Sequence, residues 1–132
     1  MTLHVDDKEA QAVLSLEGPK RYSYWIKRVT DQEEVWSLWM KGGWVLASDD
    51  KEGRELVPVW SHPRFASVCA VGVWEGSEPK MITFSAWMRS WLPGCVRDRR
   101  FVAAFPTPAN QGIIVSPMRL KEDLEKEAPL YE

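Results

Sequence analysis

Apolar positions in the first quarter of the chain recur with the period of an α-helix. A short first helix can begin at Asp6 or Asp7, whose carboxylates can cap free amides, and Gly18-Pro19 ends it. The second helix is the clearer one, because its apolar residues fall at i, i+3, i+4 and i+7. These residues are Tyr22, Trp25, Ile26 and Val29. The pattern predicts that one stripe of this helix faces a core.

From Glu34 the pattern changes to short β-prone runs separated by turn residues. The runs are Val35 to Met40, Trp44 to Ser48 and Glu55 to Trp60, and the turns are 41–43 and 49–53. Connections this tight predict an antiparallel meander, because parallel neighbours need a crossover of about a dozen residues or more. Pro58 lacks an amide hydrogen, which predicts an edge strand or a bulge at that point.

Helices and strands alternate in the rest of the chain. Ser61 is predicted to cap a helix with Pro63 in its first turn, and Ser85 to cap one that Pro93-Gly94 ends. Further strands are predicted at 79–83, 101–105 and 112–115, the last two as a hairpin. Ser116 then caps a final helix. The order α-α-β-β-β-α-β-α-β-β-α predicts an α+β fold with a small mixed, mostly antiparallel sheet and helices packed on it.

Length and charge limit the classes of protein and partner. A chain of 132 residues is predicted to be a single globular domain over 1–132. A net charge of -2 gives no field that would gather phosphate, so no nucleic-acid partner is predicted. Nucleic-acid binding would instead require four cations of the second helix to lie on one face, and these are Lys20, Arg21, Lys27 and Arg28. Apolar runs are far shorter than the roughly 20 residues that span a bilayer, so no membrane association is predicted.

Cysteine usage and the first residues bear on the compartment. Cys69 and Cys95 are the two cysteines, and they lack the spacing of a disulfide framework or a redox pair. We predict two reduced, buried thiols. The segment Met1 to Lys8 is polar and acidic, unlike a secretory signal. Together these features predict a cytoplasmic protein.

Sequence motifs for catalysis and cofactor binding are missing. The chain has no G-x-S-x-G elbow, no H-E-x-x-H and no glycine-rich phosphate loop. Its two histidines and two cysteines do not have the spacing of a zinc site. We therefore predict no cofactor and no metal, and favour a non-enzymatic protein over an enzyme.

Two segments nevertheless carry groups that suit an anion. Ser61 and His62 stand at a predicted helix start, where amides and the helix dipole attract negative charge. Arg97, Arg99 and Arg100 form a basic cluster that can bind a carboxylate or phosphate through two hydrogen bonds. If the two segments converge, they form a small anionic-ligand or enzymatic site. A common helix cap and a solvated arginine loop are the simpler interpretations.

Eight tryptophans are the unusual feature of the composition. The rings on helical apolar stripes, predicted to be core, are Trp25, Trp87 and Trp91. Trp36 and Trp39 cannot share a face of one regular strand, and Trp60 and Trp74 flank the helix predicted to begin at Ser61. We predict that Trp36, Trp60 and Trp74 bind an unknown protein partner or a second copy of the chain. The alternative is two half-cores, one on each side of the sheet.

Three motifs occur together and in one order along the chain. They are Glu55-Leu56-Val57-Pro58-Val59-Trp60-Ser61-His62, Trp91-Leu92-Pro93-Gly94 and Phe105-Pro106-Thr107-Pro108. With these motifs the chain resembles a bacterial family of domains of unknown function, number 2750, which implies no catalytic residue to transfer. The segment around Pro58 and Trp60 is also similar to one in enhanced-serine-sensitivity-type proteins and in immunity proteins of bacterial toxin systems. We therefore predict a non-enzymatic protein-binding or regulatory module, of which immunity proteins are one kind.

Overall fold

The computed structural model describes residues 4–49 and 51–128. Its helices are α1 (Asp7–Leu14), α2 (Gly18–Gln32), α3 (Pro63–Val68), α4 (Phe84–Ala86), α5 (Leu92–Asp98) and α6 (Pro117–Glu127). Its strands are β1 (Glu34–Met40), β2 (Gly43–Trp44), β3 (Ala47–Asp49), β4 (Arg54–Val59), β5 (Glu78–Thr83), β6 (Phe101–Ala104) and β7 (Ile113–Val115). A 3₁₀ turn spans Gly72–Trp74, and a π-helical segment, Trp87–Trp91, joins α4 to α5. The predicted α+β class is confirmed.

Local signals place several of the helix ends where the sequence predicts them. The Asp6 carboxylate accepts a hydrogen bond from the Glu9 amide at 2.8 Å and caps α1. The Ser116 hydroxyl accepts one from the Arg119 amide at 3.2 Å and caps α6. In α2, the predicted apolar stripe is buried at Trp25, Ile26 and Val29 and half-buried at Tyr22.

The strands form two sheets, with the orders β2-β1-β5 and β3-β4-β6-β7. All pairings are antiparallel except the parallel pair β4 and β6. The predicted single meander is therefore wrong. The run Trp44 to Ser48 divides, since β2 pairs with β1 while β3 pairs with β4, and the buried Val45 lies between the two short strands. Asp50, within the predicted turn 49–53, lies outside the described residues.

The two sheets are joined by a backbone bridge between Trp36 of β1 and Trp60, just after β4. Next to this bridge the Ser37 hydroxyl donates a hydrogen bond to the Pro58 carbonyl at 2.7 Å. β4 lies between β3 and β6, so it is not the edge strand that Pro58 predicted. β3 pairs with β4 only over residues 54–56, however, so Pro58 lies beyond the end of that ladder and its missing amide hydrogen breaks no pairing there. The predicted hairpin of β6 and β7 is confirmed, with Val102 opposite Val115.

The helix around Trp91 does not end at Pro93-Gly94, so that prediction is wrong. The chain continues through both residues as α5 to Asp98. The π-helical segment shifts the hydrogen bonding just before Pro93, which then falls in the first turn of α5, where an amide hydrogen has no helical acceptor. The cap is also shifted, because Thr83 rather than Ser85 accepts from the Ala86 amide at 3.1 Å.

The buried side chains of both sheets and the surrounding helices form one hydrophobic cluster. Its largest fully buried members are Trp25, Trp60, Trp87, Phe65 and Phe105. Both cysteines are free and buried within it, as predicted. Within the described part of the chain, no helix is long and apolar enough to cross a membrane.

Candidate functional site

The eight tryptophans divide into buried and surface rings. Trp25, Trp60 and Trp87 have no exposed surface. The five that remain half-buried are Trp36, Trp39, Trp44, Trp74 and Trp91. The expectation that some rings lie outside the main core is thus confirmed, whereas Trp91, predicted to be core, keeps accessible surface. Trp60, predicted to contact a partner, has no surface to offer in this conformation.

Four tryptophan rings form a continuous chain of contacts. The Trp44 ring stands perpendicular to Trp39 and to Trp91, with centroid distances of 5.2 and 4.9 Å. Trp91 in turn stacks on the buried Trp87 at 5.7 Å. The Lys80 ammonium lies 3.7 Å from the Trp39 centroid, within cation–π distance. Each surface ring is therefore fixed by its neighbours, which is favourable for recognition because little rotamer entropy is lost on binding.

A tight turn and a π-helical segment place these rings. Lys41 and Gly42 both have positive φ, at 52° and 79°, so the β1–β2 connection can turn within two residues. Trp39 and Trp44 then lie directly opposite each other in the antiparallel register. Trp91 comes from the other side, at the end of the π-helical segment. Such segments frequently occur at functional sites.

Three adjoining cavities run along this aromatic surface, and we call them together the tryptophan groove. Their volumes are about 450, 370 and 210 Å³. The first and second share Trp44, Val45 and Leu46, and the second and third share Val73 and Trp74. The other lining residues are Met40, Lys41, Gly43, Val57, Ser90, Trp91, Gly94, Cys95, Asp98 and Arg100, and at the far end Cys69, Val71, Pro106, Thr107 and Pro108.

The middle of the groove has an exposed apolar edge. Val73 is 88% exposed and Val71 is 56% exposed, both in the connection between α3 and β5. Trp74 follows them and rests edge-on against the buried Trp60, with centroids 6.2 Å apart. Contiguous apolar surface of this kind is typical of protein-interaction sites. Neither valine belongs to a periodic pattern, so sequence reasoning did not identify them.

The third cavity rests on a hydrogen-bonded backbone. The Trp60 indole donates to the Pro106 carbonyl at 2.9 Å, and the Cys69 thiol donates to the same oxygen at 3.4 Å. These bonds tie the loop after β6 to α3 and to the end of β4. Trp60 thus holds the wall of the groove in place from inside the core.

The same loop is held by Arg21, which is only 3% exposed. Its guanidinium donates to the Phe105 carbonyl at 3.0 Å, the Leu16 carbonyl at 2.6 Å and the Asn110 side-chain oxygen at 3.2 Å. Phe105 has a φ of 57°, a conformation that is rare for a bulky residue. The sequence pattern grouped Arg21 with the other cations of this helix, although its i, i+4 spacing to Trp25 puts it on the buried stripe. The basic stripe that a nucleic-acid surface on this helix would need therefore lacks one of its cations.

The predicted anion-binding residues at α3 have structural roles. Ser61 is fully buried, and its hydroxyl has no hydrogen-bond partner among the described residues. The predicted cap at Ser61 is wrong, because His62 caps α3 by accepting from the Arg64 amide through Nδ1 at 3.0 Å. The His62 ring also stands edge-on to Phe65 at 6.3 Å. Rotation of this imidazole toward a ligand would break the cap.

The predicted arginine cluster lies at the end of α5, and two of its three arginines are paired with carboxylates. Arg100 contacts Glu55 at 3.1 Å and Asp98 at 3.5 Å, and Arg97 contacts Asp98 at 3.4 Å. Arg99 ends the helix with a φ of 58°. Arg100 lines one end of the tryptophan groove, whereas His62 is not among the groove residues. The two predicted halves of the anion site do not share this groove.

The two thiols that border the groove are poor nucleophiles. Burial raises the pKa of Cys69 to about 11 and raises the pKa of Cys95 from its ordinary value. Both are therefore protonated at neutral pH, and the thiolate is the reactive form. Over residues 4–49 and 51–128, no group of three or more His, Cys, Asp or Glu side chains is arranged to hold a metal ion.

The fold and the groove define a small α+β protein with an aromatic-lined surface, and comparison with known proteins identifies its family. A family model described as "Protein of unknown function (DUF2750)" matches residues 22–124. The chain belongs to this family. The matched range contains every residue that lines the tryptophan groove. No curated protein matches, and no solved structure matches.

Proposed function

We propose that this chain is a single-domain, cytoplasmic bacterial protein that acts without catalysis, as a module that binds an apolar segment of another protein in the tryptophan groove. The observation that carries the proposal is the continuity of the groove. Three half-buried rings, Trp74, Trp44 and Trp91, follow one another along cavities that share lining residues. Tryptophan is among the residues enriched in protein-binding hot spots, where the surrounding contacts serve mainly to exclude water.

The chemistry of the groove favours an extended or helical peptide segment over a small polar substrate. Its lining is mainly aromatic and aliphatic, and its charged groups are Asp98 and Arg100 in the first cavity and Lys41 in the second. A segment with apolar side chains spaced along it would cover Val73, which is otherwise 88% exposed. Removing that apolar surface from water supplies a driving force for association.

The alternative is an anionic-ligand or enzymatic site using His62 and the region Arg97–Arg100. It has less support, because His62 Nδ1 accepts the hydrogen bond that caps α3 and Arg100 is already paired with Glu55 and Asp98. The protonated thiols offer no activated nucleophile either. A toxin-neutralising immunity protein is one instance of the binding role proposed here, since it acts by contact alone.

The decisive experiment compares two charged substitutions at exposed apolar positions. Val73→Glu alters the groove, and Met118→Glu alters an exposed position on α6 with 67% of its surface accessible. The tagged protein captures partners from native cytosol, and each captured protein is purified and titrated against both variants. We expect Val73→Glu to weaken the specific complex at least about tenfold and Met118→Glu to leave it unchanged.

Trp74→Ala provides the second variant, with circular dichroism to check that the fold is kept. The partner can also be a second copy of this chain. In that case sedimentation of the wild type is expected to show a dimer that Val73→Glu dissociates. The proposal is wrong if every purified complex, including any dimer, binds Val73→Glu and Trp74→Ala as tightly as the wild type. Failure to find either a partner or a dimer also counts against it.

A further inference from the structure

A second groove lies between α2, β7 and α6, and we call it the helix groove. Its volume is about 900 Å³, within the range of small-molecule binding sites. It shares no lining residue with the tryptophan groove. A ligand bound in the helix groove would therefore not contact the surface proposed above to bind a protein partner.

The floor of the helix groove is apolar and its walls are polar. Ile26, Phe101, Ile113 and Val115 supply aliphatic and aromatic surface from α2, β6 and β7. Ile113 packs so closely on α2 that a Cβ added at Gly18 would lie 2.9 Å from its Cδ1 atom. The floor is thus in direct contact with the helix backbone, and this apolar surface suits a hydrocarbon body.

The polar wall is an ordered pair of hydrogen bonds centred on Asp123. Tyr22 donates its hydroxyl to Asp123 Oδ2 at 2.6 Å, and Arg119 contacts Asp123 Oδ1 at 3.3 Å. Burial, together with this hydrogen bond, raises the pKa of Tyr22, so its hydroxyl stays protonated and keeps donating. Both oxygens of the Asp123 carboxylate are engaged, and its charge is paired with that of Arg119.

Two ammonium groups at the groove are left without an ion pair among the described residues. Lys27 on α2 and Lys126 on α6 are both exposed, and Glu127 is the remaining carboxylate of the lining. The lining therefore holds three cations against two carboxylates, a local excess of one positive charge in a chain whose net charge is -2. The charge and the apolar floor together match an amphipathic anion.

We propose that the helix groove binds small amphipathic carboxylates, with the hydrocarbon body on the floor formed by Ile26 and Ile113 and the carboxylate at Lys27 and Lys126. The test uses sodium decanoate on the full chain at low ionic strength, followed by ¹H–¹⁵N NMR. Decanol, which has the same hydrocarbon chain without the charge, is the ligand control. We expect saturable shift changes around Tyr22 and Ile114 with decanoate, and weaker binding of decanol.

A charge-matched pair of double variants separates the site from general electrostatics. Lys27→Gln with Lys126→Gln removes the two proposed contacts, and Lys20→Gln with Lys121→Gln removes equal charge from exposed positions of the same helices outside the groove. The first pair is expected to weaken decanoate binding about fivefold or more, and the second to leave it nearly unchanged.

Four outcomes overturn the proposal. They are equal weakening by both double variants, equal affinity for decanol and decanoate, shift changes confined to the tryptophan groove, and no saturable shift at millimolar decanoate. None of these outcomes bears on the partner complex tested with Val73→Glu, so failure here is distinguishable from failure of the proposed function.

Discussion

Trp36 and Trp60 exchange both of their backbone hydrogen bonds, at 2.9 Å from the Trp36 amide and 2.7 Å from the Trp60 amide. Trp36 lies on the sheet that carries Trp39 and Trp44, and the Trp60 ring supports Trp74. The pair therefore connects the sheet that carries Trp44 to the buried ring beneath Trp74, and both of these rings line the middle cavity of the tryptophan groove. A binding surface assembled from both sheets can be rigid because its parts meet at this bridge.

Replacement of Trp60 tests whether the groove is held from inside the core. Trp60→Phe keeps most of the apolar volume but removes the indole that donates to the Pro106 carbonyl. We expect a loss of about 1–3 kcal/mol in the free energy of unfolding, measured by urea denaturation. Trp39→Phe, at a half-buried ring, is the control and is expected to cost less than about 1 kcal/mol. Equal losses for the two variants would contradict a supporting role of the Trp60 indole.

Arg21 offers a second test, of the loop that follows β6. Arg21→Lys keeps the charge but cannot reach three separate oxygen atoms with one planar group. We expect a loss of about 2–4 kcal/mol in the free energy of unfolding and faster hydrogen exchange of the Gly112 amide. The neighbouring exposed Lys20→Arg is the control and should stay within about 0.5 kcal/mol of the wild type. An Arg21→Lys protein with unchanged stability and unchanged hydrogen exchange would show that the three hydrogen bonds of Arg21 do not stabilise the loop.

Arg21 also shows which features of the fold the sequence alone does not predict. The caps at Asp6 and Ser116 were predictable because each depends on a hydrogen bond to a residue three positions away. The role of Arg21 depends on a carbonyl 84 residues further along the chain, which no local pattern contains. Likewise, Trp44 to Ser48 looks like one strand until two different partner strands divide it.

The candidate site was predictable in part for the same reason. An excess of tryptophan indicated that some rings would reach the surface, and Trp74 is one of them. Trp60 could not be told apart from Trp74, because only the packed structure shows that one ring covers the other. Val73 was missed, since an exposed valine in a 3₁₀ turn leaves no periodic signal.

The stability of the protein at high pH should depend on Cys69. Burial raises its folded-state pKa from 9.0 to about 11, so the unfolded chain loses this proton at a lower pH than the folded chain does. The contribution of the protonated thiol is therefore fully present below pH 9 and is lost progressively between pH 9 and about 11.

Cys69→Ala removes this contribution. The free energy of unfolding of the wild type and of Cys69→Ala is measured by urea denaturation at several pH values. The difference between them should be constant below pH 9, and above pH 9 the wild type should lose stability relative to the variant. A pH-independent difference across this window would contradict the shifted pKa.

Two glycines with the same backbone conformation separate steric conflict from backbone strain. Gly112 and Gly76 have φ values of 84° and 89°, so an added side chain is strained at either position. At Gly112 a Cβ would also lie 2.7 Å from the Ala104 carbonyl oxygen and 2.9 Å from the Pro106 nitrogen, whereas at Gly76 nothing lies within 4 Å.

We expect Gly76→Ala to cost about 1–2 kcal/mol in the free energy of unfolding, from strain alone. Gly112→Ala should cost clearly more, because the backbone of the loop at Pro106 must move, and it should also weaken binding in the adjoining tryptophan groove. Equal costs for the two variants, with partner binding unchanged, would mean that the loop adapts freely and does not set the shape of the groove.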